Sequence, residues 1–330
     1  MIITRTPFRV SFAGGGSDIG SFYHRHEGCV VSTSINKYMY VMIHPSFNKL
    51  TTSIKYSRTE IADRVQDIKH PIARQVLLDY GVSGVEITST ADVPSGTGLS
   101  TSSAYTVGLI QAMNAYTGKY ESQEKVAAKA CEVEIEKLGE PIGKQDQYGT
   151  AVGGLKMIRF LKNETVEVEQ LVMAEDAYRA LNDNLVLFYT GLTHSAGEIL
   201  KDQNKNVASA EEKFRNVVQM TELAYALKEA LCQSNIDTFG QILHKGWMLK
   251  KELTGAISSN QIDRYYQRAM EAGALGCKLL GAGGGGFLLF YCEKDKQKRL
   301  RSAMSDLVEL PFSMENGGTK VIYVGDKTWD

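Results

Sequence analysis

The sequence has only five cysteines, six prolines and two tryptophans in 330 residues. Cys29, Cys131, Cys232, Cys277 and Cys292 lie far apart, and none forms a C-x-x-C pair. That speaks against a zinc knuckle or a disulfide framework and leaves reduced, structural cysteines. The few prolines mark no Pro-rich linker, and no Ser/Gly linker or solenoid repeat is present. Charge of one sign is not in excess either: 37 Lys and Arg balance 38 Asp and Glu, a formal net charge of -1. Such a balance gives no reason to expect a nucleic-acid partner or a membrane partner. Long hydrophobic runs are missing. Phe287–Cys292 falls far short of the ~18 residues that suggest a membrane span. The N-terminal residues lack a signal-peptide apolar stretch, so a cytoplasmic location is expected. What remains is ordinary globular composition, 43% hydrophobic and 23% charged, of a length that suggests about two domains.

Strand and helix patterns are interspersed. Phe8, Val10 and Phe12 alternate with polar or small residues. Tyr38–Ile43, Val85–Thr90, Glu164–Leu171, Asn184–Tyr189, Phe287–Tyr291 and Lys320–Tyr323 also read as strands. Ala104–Ala115 is apolar nearly all round, which predicts a buried helix. Ser122–Leu138 predicts an amphipathic helix with Ser122 as its N-cap. Further helices are expected over Ala196–Cys232 (with a break allowed), Asp237–Lys251, Gln261–Ala272 and Lys296–Leu307. The mixture favours an α+β fold, with residues 1–180 as one domain and 181–330 as a second.

Glycine, by contrast, is plentiful at 31 residues, and much of it sits in three segments. The first runs from Pro7 through Gly14-Gly15-Gly16-Ser17-Asp18. The second is Pro94-Ser-Gly-Thr-Gly-Leu-Ser-Thr-Ser-Ser-Ala104, and the third Gly281-Ala-Gly-Gly-Gly-Gly286. The second follows a strand and opens the buried helix. Its glycines let backbone approach a ligand, and free N–H groups at a helix N-terminus bind phosphate. Ser100, Thr101, Ser102 and Ser103 can cap the helix or ligate Mg²⁺ beside a phosphate. No G-x-x-x-x-G-K-[ST] occurs, which disfavours the P-loop NTPases. Gly281, Gly283 and Gly286 spell G-x-G-x-x-G but lead into a strand. A Rossmann site needs a helix there, so a nicotinamide oxidoreductase is disfavoured. A tight loop fits better, its glycines approaching another backbone or a ligand.

One carboxylate stands out by periodicity. Val126, Ala127, Ala130, Cys131 and Leu138 form the apolar stripe of the Ser122–Leu138 helix, and Glu134 falls on it. Glu132 and Glu136 do not. An inward carboxylate needs a partner, which a metal would supply; merely edging the stripe is the alternative.

Taken together, the three glycine segments resemble, in order and spacing, the GHMP kinase superfamily. The resemblance implies a two-domain fold: an N-terminal domain like domain 2 of ribosomal protein S5, and a ferredoxin-like C-terminal domain. Arg5–Asp18 and Gly143-Lys-Gln-Asp-Gln-Tyr-Gly149 look most like bacterial D-glycero-D-manno-heptose 7-phosphate kinases. Those enzymes use ATP to phosphorylate the anomeric hydroxyl on the route to GDP-heptose for surface glycans. By this resemblance Asp146 is the catalytic aspartate and Arg9 its neighbour. ATP falls to Pro94, Gly96, Thr97, Gly98, Ser100, Thr101, Ser102 and Ser103. Mg²⁺ falls to Ser103 and Glu134. The sugar phosphate falls to Asp18, Gly15, Gly16, Ser17, Gly283 and Gly284; Lys37 and Lys144, near the motifs in sequence, are candidate cations for it or simply solvated surface charge. Arg25, His24 and His26 are further candidates for a 7-phosphate, and His194 could reach the site from the second domain. Galactokinases carry Gly-Glu-His-Thr-Asp where this chain has Gly15-Gly16-Ser17-Asp18, which argues against galactose. Another sugar such as fucose, or a non-catalytic sugar and nucleotide sensor, are the alternatives. In a kinase, Asp146 would accept or orient the hydroxyl proton, and Arg9 would favour the ionised aspartate and stabilise phosphoryl charge.

Overall fold

The computed structural model describes residues 1–192 and 196–325. Strand β1 (Ile2–Ala13) pairs antiparallel along its length with β2 (Gly28–Pro45), which is longer than its apolar run Tyr38–Ile43 suggests. Beyond β2 come β3 (Thr52–Lys55), β4 (Thr59–Ala62), β5 (Val85–Ala91), β6 (Leu155–Phe160) and β7 (Val166–Gln170). The far edge of β2 is shared: β6 pairs with Gly28–Thr33 and β5 with Met39–Pro45.

Helices interrupt these strands. After the short α1 (Gly20–Tyr23) come α2 (Pro71–Tyr80), α3 (Thr101–Tyr116), α4 (Gln123–Cys131), α5 (Gln145–Ala151) and α6 (Glu175–Asn184). Helix α3 packs on β1 and β2 and is buried nearly all round, as its composition predicts. Ser122 caps α4, its Oγ accepting from Lys125 N at 3.3 Å. The expected helix to Leu138 does not stay α-helical. From Glu132 to Lys137 it widens to a π-helix, and the widened turn buries both Val133 and Glu134.

The second half holds β8 (Leu185–Tyr189), α7 (Ala196–Ser209), α8 (Glu211–Cys232), α9 (Phe239–Lys251), α10 (Asn260–Glu271), β9 (Gly276–Leu279), β10 (Phe287–Tyr291), α11 (Gln297–Ala303) and β11 (Val308–Glu309). The pattern Ala196–Cys232 thus breaks at Ala210. The strand order β11-β8-β10-β9, with antiparallel neighbours, is that of a ferredoxin-like βαββαβ unit. Helices α8 and α9 also cover β1 on the face opposite α3. With both faces covered, Thr6, Arg9 and Ser11 are as buried as Phe8, Val10 and Phe12.

The chain then returns to the first sheet. β12 (Met314–Glu315) joins β2 and β13 (Lys320–Val324) joins β1, which completes nine strands among the described residues. The division expected at residue 180 therefore falls inside α6, and the C-terminal strands belong to the N-terminal sheet. Among the described residues no helix is long and apolar enough to cross a membrane. All five cysteines are free.

Candidate active site

Arg9, on β1, is buried at 2% exposure. Its Nε and Nη2 donate to Asp146 Oδ1 at 3.0 and 2.6 Å, and its Nη1 donates to the carbonyl of Gly98 at 2.8 Å. One guanidinium thus ties the first turn of α5 to the second glycine segment. Both bonds to Asp146 fall on a single carboxylate oxygen, and the Asp146 side chain stays 30% exposed.

The turn that carries Asp146 serves three partners. Successive residues of a helix point about 100° apart. Gln145 turns to Asp18, Asp146 to Arg9, and Gln147 to Glu134. Asp18 accepts from Gly16 N at 3.1 Å, Gln145 N at 3.2 Å and Gln145 Nε2 at 3.0 Å. Burial, and then the charge of Asp146, raise its pKa above the usual carboxylate range. Gly143 permits this packing: a Cβ there would lie 1.9 Å from Asp18 Oδ2.

Glu134 is 1% exposed and accepts four side-chain bonds. Ser103 Oγ donates at 2.8 Å, Thr106 Oγ1 at 2.9 Å, Ser102 Oγ at 3.3 Å and Gln147 Nε2 at 2.6 Å. Burial raises its pKa, against those donors. Glu134 therefore faces inward, as periodicity predicts, but from a π turn. Thr106 and Gln147 escaped the sequence reading. The signal that could have found Gln147 is its place beside Gln145 and Asp146 in one helical turn.

The second glycine segment is not spent on capping. No side chain caps α3, and Ser100 stands in the left-handed region at φ 65° with its buried hydroxyl unpartnered. A non-glycine residue there is strained, as residues at ligand sites often are. The third glycine segment packs directly on the second. A Cβ on Gly281 would come 2.5 Å from Gly98 Cα, and Phe287 N donates to Thr97 O at 3.2 Å. The expected close approach is thus to another backbone.

Two cavities meet at Arg9 and Asp146. One is lined by Gly96, Gly98, Ser100, Thr101, Ser102, Ser103 and Glu134; an aromatic pocket with Tyr56 and Tyr105 adjoins it, and the two share His70, Ile72, Gly96, Thr101 and Ser102. The other is lined by Gly15, Gly16, Asp18, Gln145, Gln203, Lys250 and Lys278. Sequence reasoning missed Gln203 and both lysines, which approach from the second half of the chain.

Several expected residues stand apart from these cavities, and one lines the other cavity than expected. Pro94 and Thr97 shape the loop, Thr97 Oγ1 donating to Pro94 O at 2.9 Å. Ser17 is fully buried and bonded to Gly14 O and Cys29. Gly283 lines the cavity of the glycine segments instead of the one around Asp18, because its loop folds against Ile257; Gly284 N donates to Ile257 O at 2.9 Å and lines neither. Lys37 lies next to Asn36, whose backbone meets Ser313, and is not among the lining residues. Lys144 and His24 both bond Glu164, joined by Tyr23 Oη at 2.8 Å. Arg25 pairs with Glu211 and lies over the Phe214 ring. His26 Nδ1 lies 2.9 Å from Glu27 O, with its side chain exposed. His194 lies outside the described residues.

Comparison with known proteins bears on the whole chain. Residues 55–154 match the family description GHMP kinases N terminal domain, and residues 227–310 match GHMP kinases C terminal. A D-glycero-alpha-D-manno-heptose 7-phosphate kinase of Campylobacter jejuni is 31% identical over 334 residues, covering 95% of this chain and 97% of the relative. A galactokinase of Pyrococcus furiosus is 26% identical over 332 residues, covering 92% of each. The crystal structure of a D-glycero-D-manno-heptose 1-phosphate kinase from Bacteroides thetaiotaomicron superposes with a TM-score of 0.81. It covers 99% of this chain and 100% of that one at 23% identity, a likeness of fold alone.

Proposed function

The chain belongs to the GHMP kinase family and is an ATP-dependent sugar kinase, and from that premise we propose that it phosphorylates the anomeric hydroxyl of D-glycero-D-manno-heptose 7-phosphate. The observation that carries the reading is the Arg9–Asp146 pair in the wall common to two cavities. One cavity has the glycine backbone, free helix N–H groups and unpartnered hydroxyl that suit a triphosphate. The aromatic pocket of Tyr56, His70 and Tyr105 beside it suits the base. The other cavity has the buried carboxylate, amides and cations that suit a sugar phosphate. The substrate itself is taken from the Campylobacter relative.

In this reading Asp146 receives the proton of the anomeric hydroxyl as its oxygen attacks the γ-phosphorus and ADP leaves. Arg9 holds Asp146 in place and faces the phosphoryl group as its charge spreads. Asp18, fixed by Gln145, orients the sugar hydroxyls.

Mg²⁺ fits the donors present. Among the described residues no group of three or more His, Cys, Asp or Glu could hold a metal alone. Mg²⁺ typically takes one or two protein oxygens and completes its shell with phosphates and water. Glu134 and the Ser103 hydroxyl, 2.8 Å apart in the wall of the first cavity, are such oxygens. Held there, the ion would supply positive charge to neutralise the phosphates of ATP.

The test is ADP release with ATP and Mg²⁺, comparing heptose 7-phosphate with unphosphorylated heptose, galactose and fucose. Asp146→Asn is the blank, expected to lose turnover while largely keeping ATP binding. Turnover confined to a free sugar would remove the heptose phosphate. Equal loss of turnover and ATP binding in Asp146→Asn would remove the role of Asp146.

A further inference from the structure

Two lysines enter the acceptor cavity from the second half of the chain, Lys250 in the last turn of α9 and Lys278 in β9. Both are more than nine-tenths buried, at 6% and 5% exposure. Lys278 Nζ donates to Ser11 Oγ at 3.2 Å and to Phe12 O at 3.5 Å, and Lys250 Nζ donates to Gly281 O. Among the described residues neither makes a direct ion pair with a carboxylate, although the charge of Asp18 reaches both. An ammonium offers three donors, and a buried ion without a counter-ion is costly. Burial pushes Lys250 down to about 8, helped by Arg9, and pushes Lys278 well below the ordinary lysine range, helped by Lys250 and then Arg9. Three buried basic side chains, Arg9, Lys250 and Lys278, thus surround a cavity whose carboxylates, Asp18 and Asp146, are already bonded by Gln145 and Arg9. Neither lysine lines the cavity of the glycine segments.

We propose that Lys250 and Lys278 together hold the phosphate that the sugar acceptor already carries, and so make the enzyme selective for a phosphorylated sugar. The proposal rests on the acceptor reading above. It moves the phosphate from Lys37 and Lys144 to the opposite half of the molecule. There the lysines are held by backbone and hydroxyl oxygens and keep donors for a dianion. Lys144, in contrast, is engaged by Glu164.

The test separates this phosphate from that of the nucleotide. Enzyme saturated with a non-hydrolysable ATP analogue is titrated with inorganic phosphate by calorimetry, as wild type, Lys250→Met and Lys278→Met. Each variant should weaken phosphate on the order of 10- to 100-fold, as loss of a charge-assisted bond does. Analogue affinity should stay within about threefold, and selectivity for heptose 7-phosphate over heptose, as a ratio of kcat/KM, should fall in parallel. Unaltered protein gives an independent readout: at pH 8.5, above the Lys250 pKa, phosphate binding should take up protons. Variants that weaken the analogue rather than phosphate, or leave phosphate unchanged, overturn the proposal. If phosphate binding is lost as expected while wild type ignores every heptose, the site stands and the heptose assignment falls.

Discussion

Lys250→Met should stabilise the ligand-free enzyme near neutral pH and lose that advantage as the pH rises. Lys250 is buried against Gly281 O, and burial, reinforced by the Arg9 charge, lowers its pKa from 10.5 to about 8. Asp18 and Asp146 oppose the shift without cancelling it. By linkage such a drop is worth about 3 kcal/mol. The sign follows from proton counting. Between the two values the unfolded chain binds more protons than the folded one, so stability climbs with pH. The contribution is complete above 10.5 and is lost as pH falls through 8. At pH 7 the fold therefore carries an ammonium it would be more stable without. Methionine keeps the length of the stem but leaves Gly281 O short of a donor, a loss of about 1–3 kcal/mol. At pH 7 the variant should match or exceed wild type by up to about 2 kcal/mol. Near pH 10, where about 1 kcal/mol of the penalty is still left in wild type, the variant should be the less stable by up to about 2 kcal/mol. Lys278 works in the same direction, since Lys250 is one cause of its lowered pKa. Urea unfolding of both proteins from pH 7 to pH 10 measures the crossing, and the difference between them cancels the tyrosines and the lysines other than Lys278. A difference constant across that range within about 0.5 kcal/mol would refute the buried-charge argument.

Two further substitutions probe the other carboxylates. Glu134→Gln should raise the Mg²⁺ concentration for half-maximal activity by about tenfold or more, as loss of a ligand or its support does; an unchanged Mg²⁺ titration excludes Glu134 as a ligand. Gly143→Ala places a methyl 1.9 Å from Asp18 Oδ2. Asp18 must move, so the acceptor KM should rise on the order of tenfold while ATP-analogue affinity holds. An unchanged acceptor KM would show that Asp18 does not read the sugar.

Arg9, Asp18, Glu134, Asp146 and the serine hydroxyls were legible because each sits in a short motif or breaks a local pattern. Glu134 interrupts an apolar stripe, and the stripe survives the π turn. Other features carry no such mark. Lys278 meets Ser11 across 267 residues, and Lys250 ends a helix whose last turn favours lysine anyway. Nothing local separates either from a surface charge, whereas Arg25 and Lys144, close in sequence to the motifs, turned to Glu211 and Glu164. The same cause hid half of β2. Its stretch Ser32–Ser34 is buried yet polar, and Ser34 Oγ donates to Gly149 O at 3.2 Å behind the helix that carries Asp146. Hydrophobic periodicity finds elements that bury apolar side chains. It fails where a core position is given to a hydroxyl or an ammonium, and in this chain those positions gather beside the helix that carries Asp146 and around the cavity that Lys250 and Lys278 line. A departure from the pattern here marks the polar interior of the site, which only the assembled fold brings together.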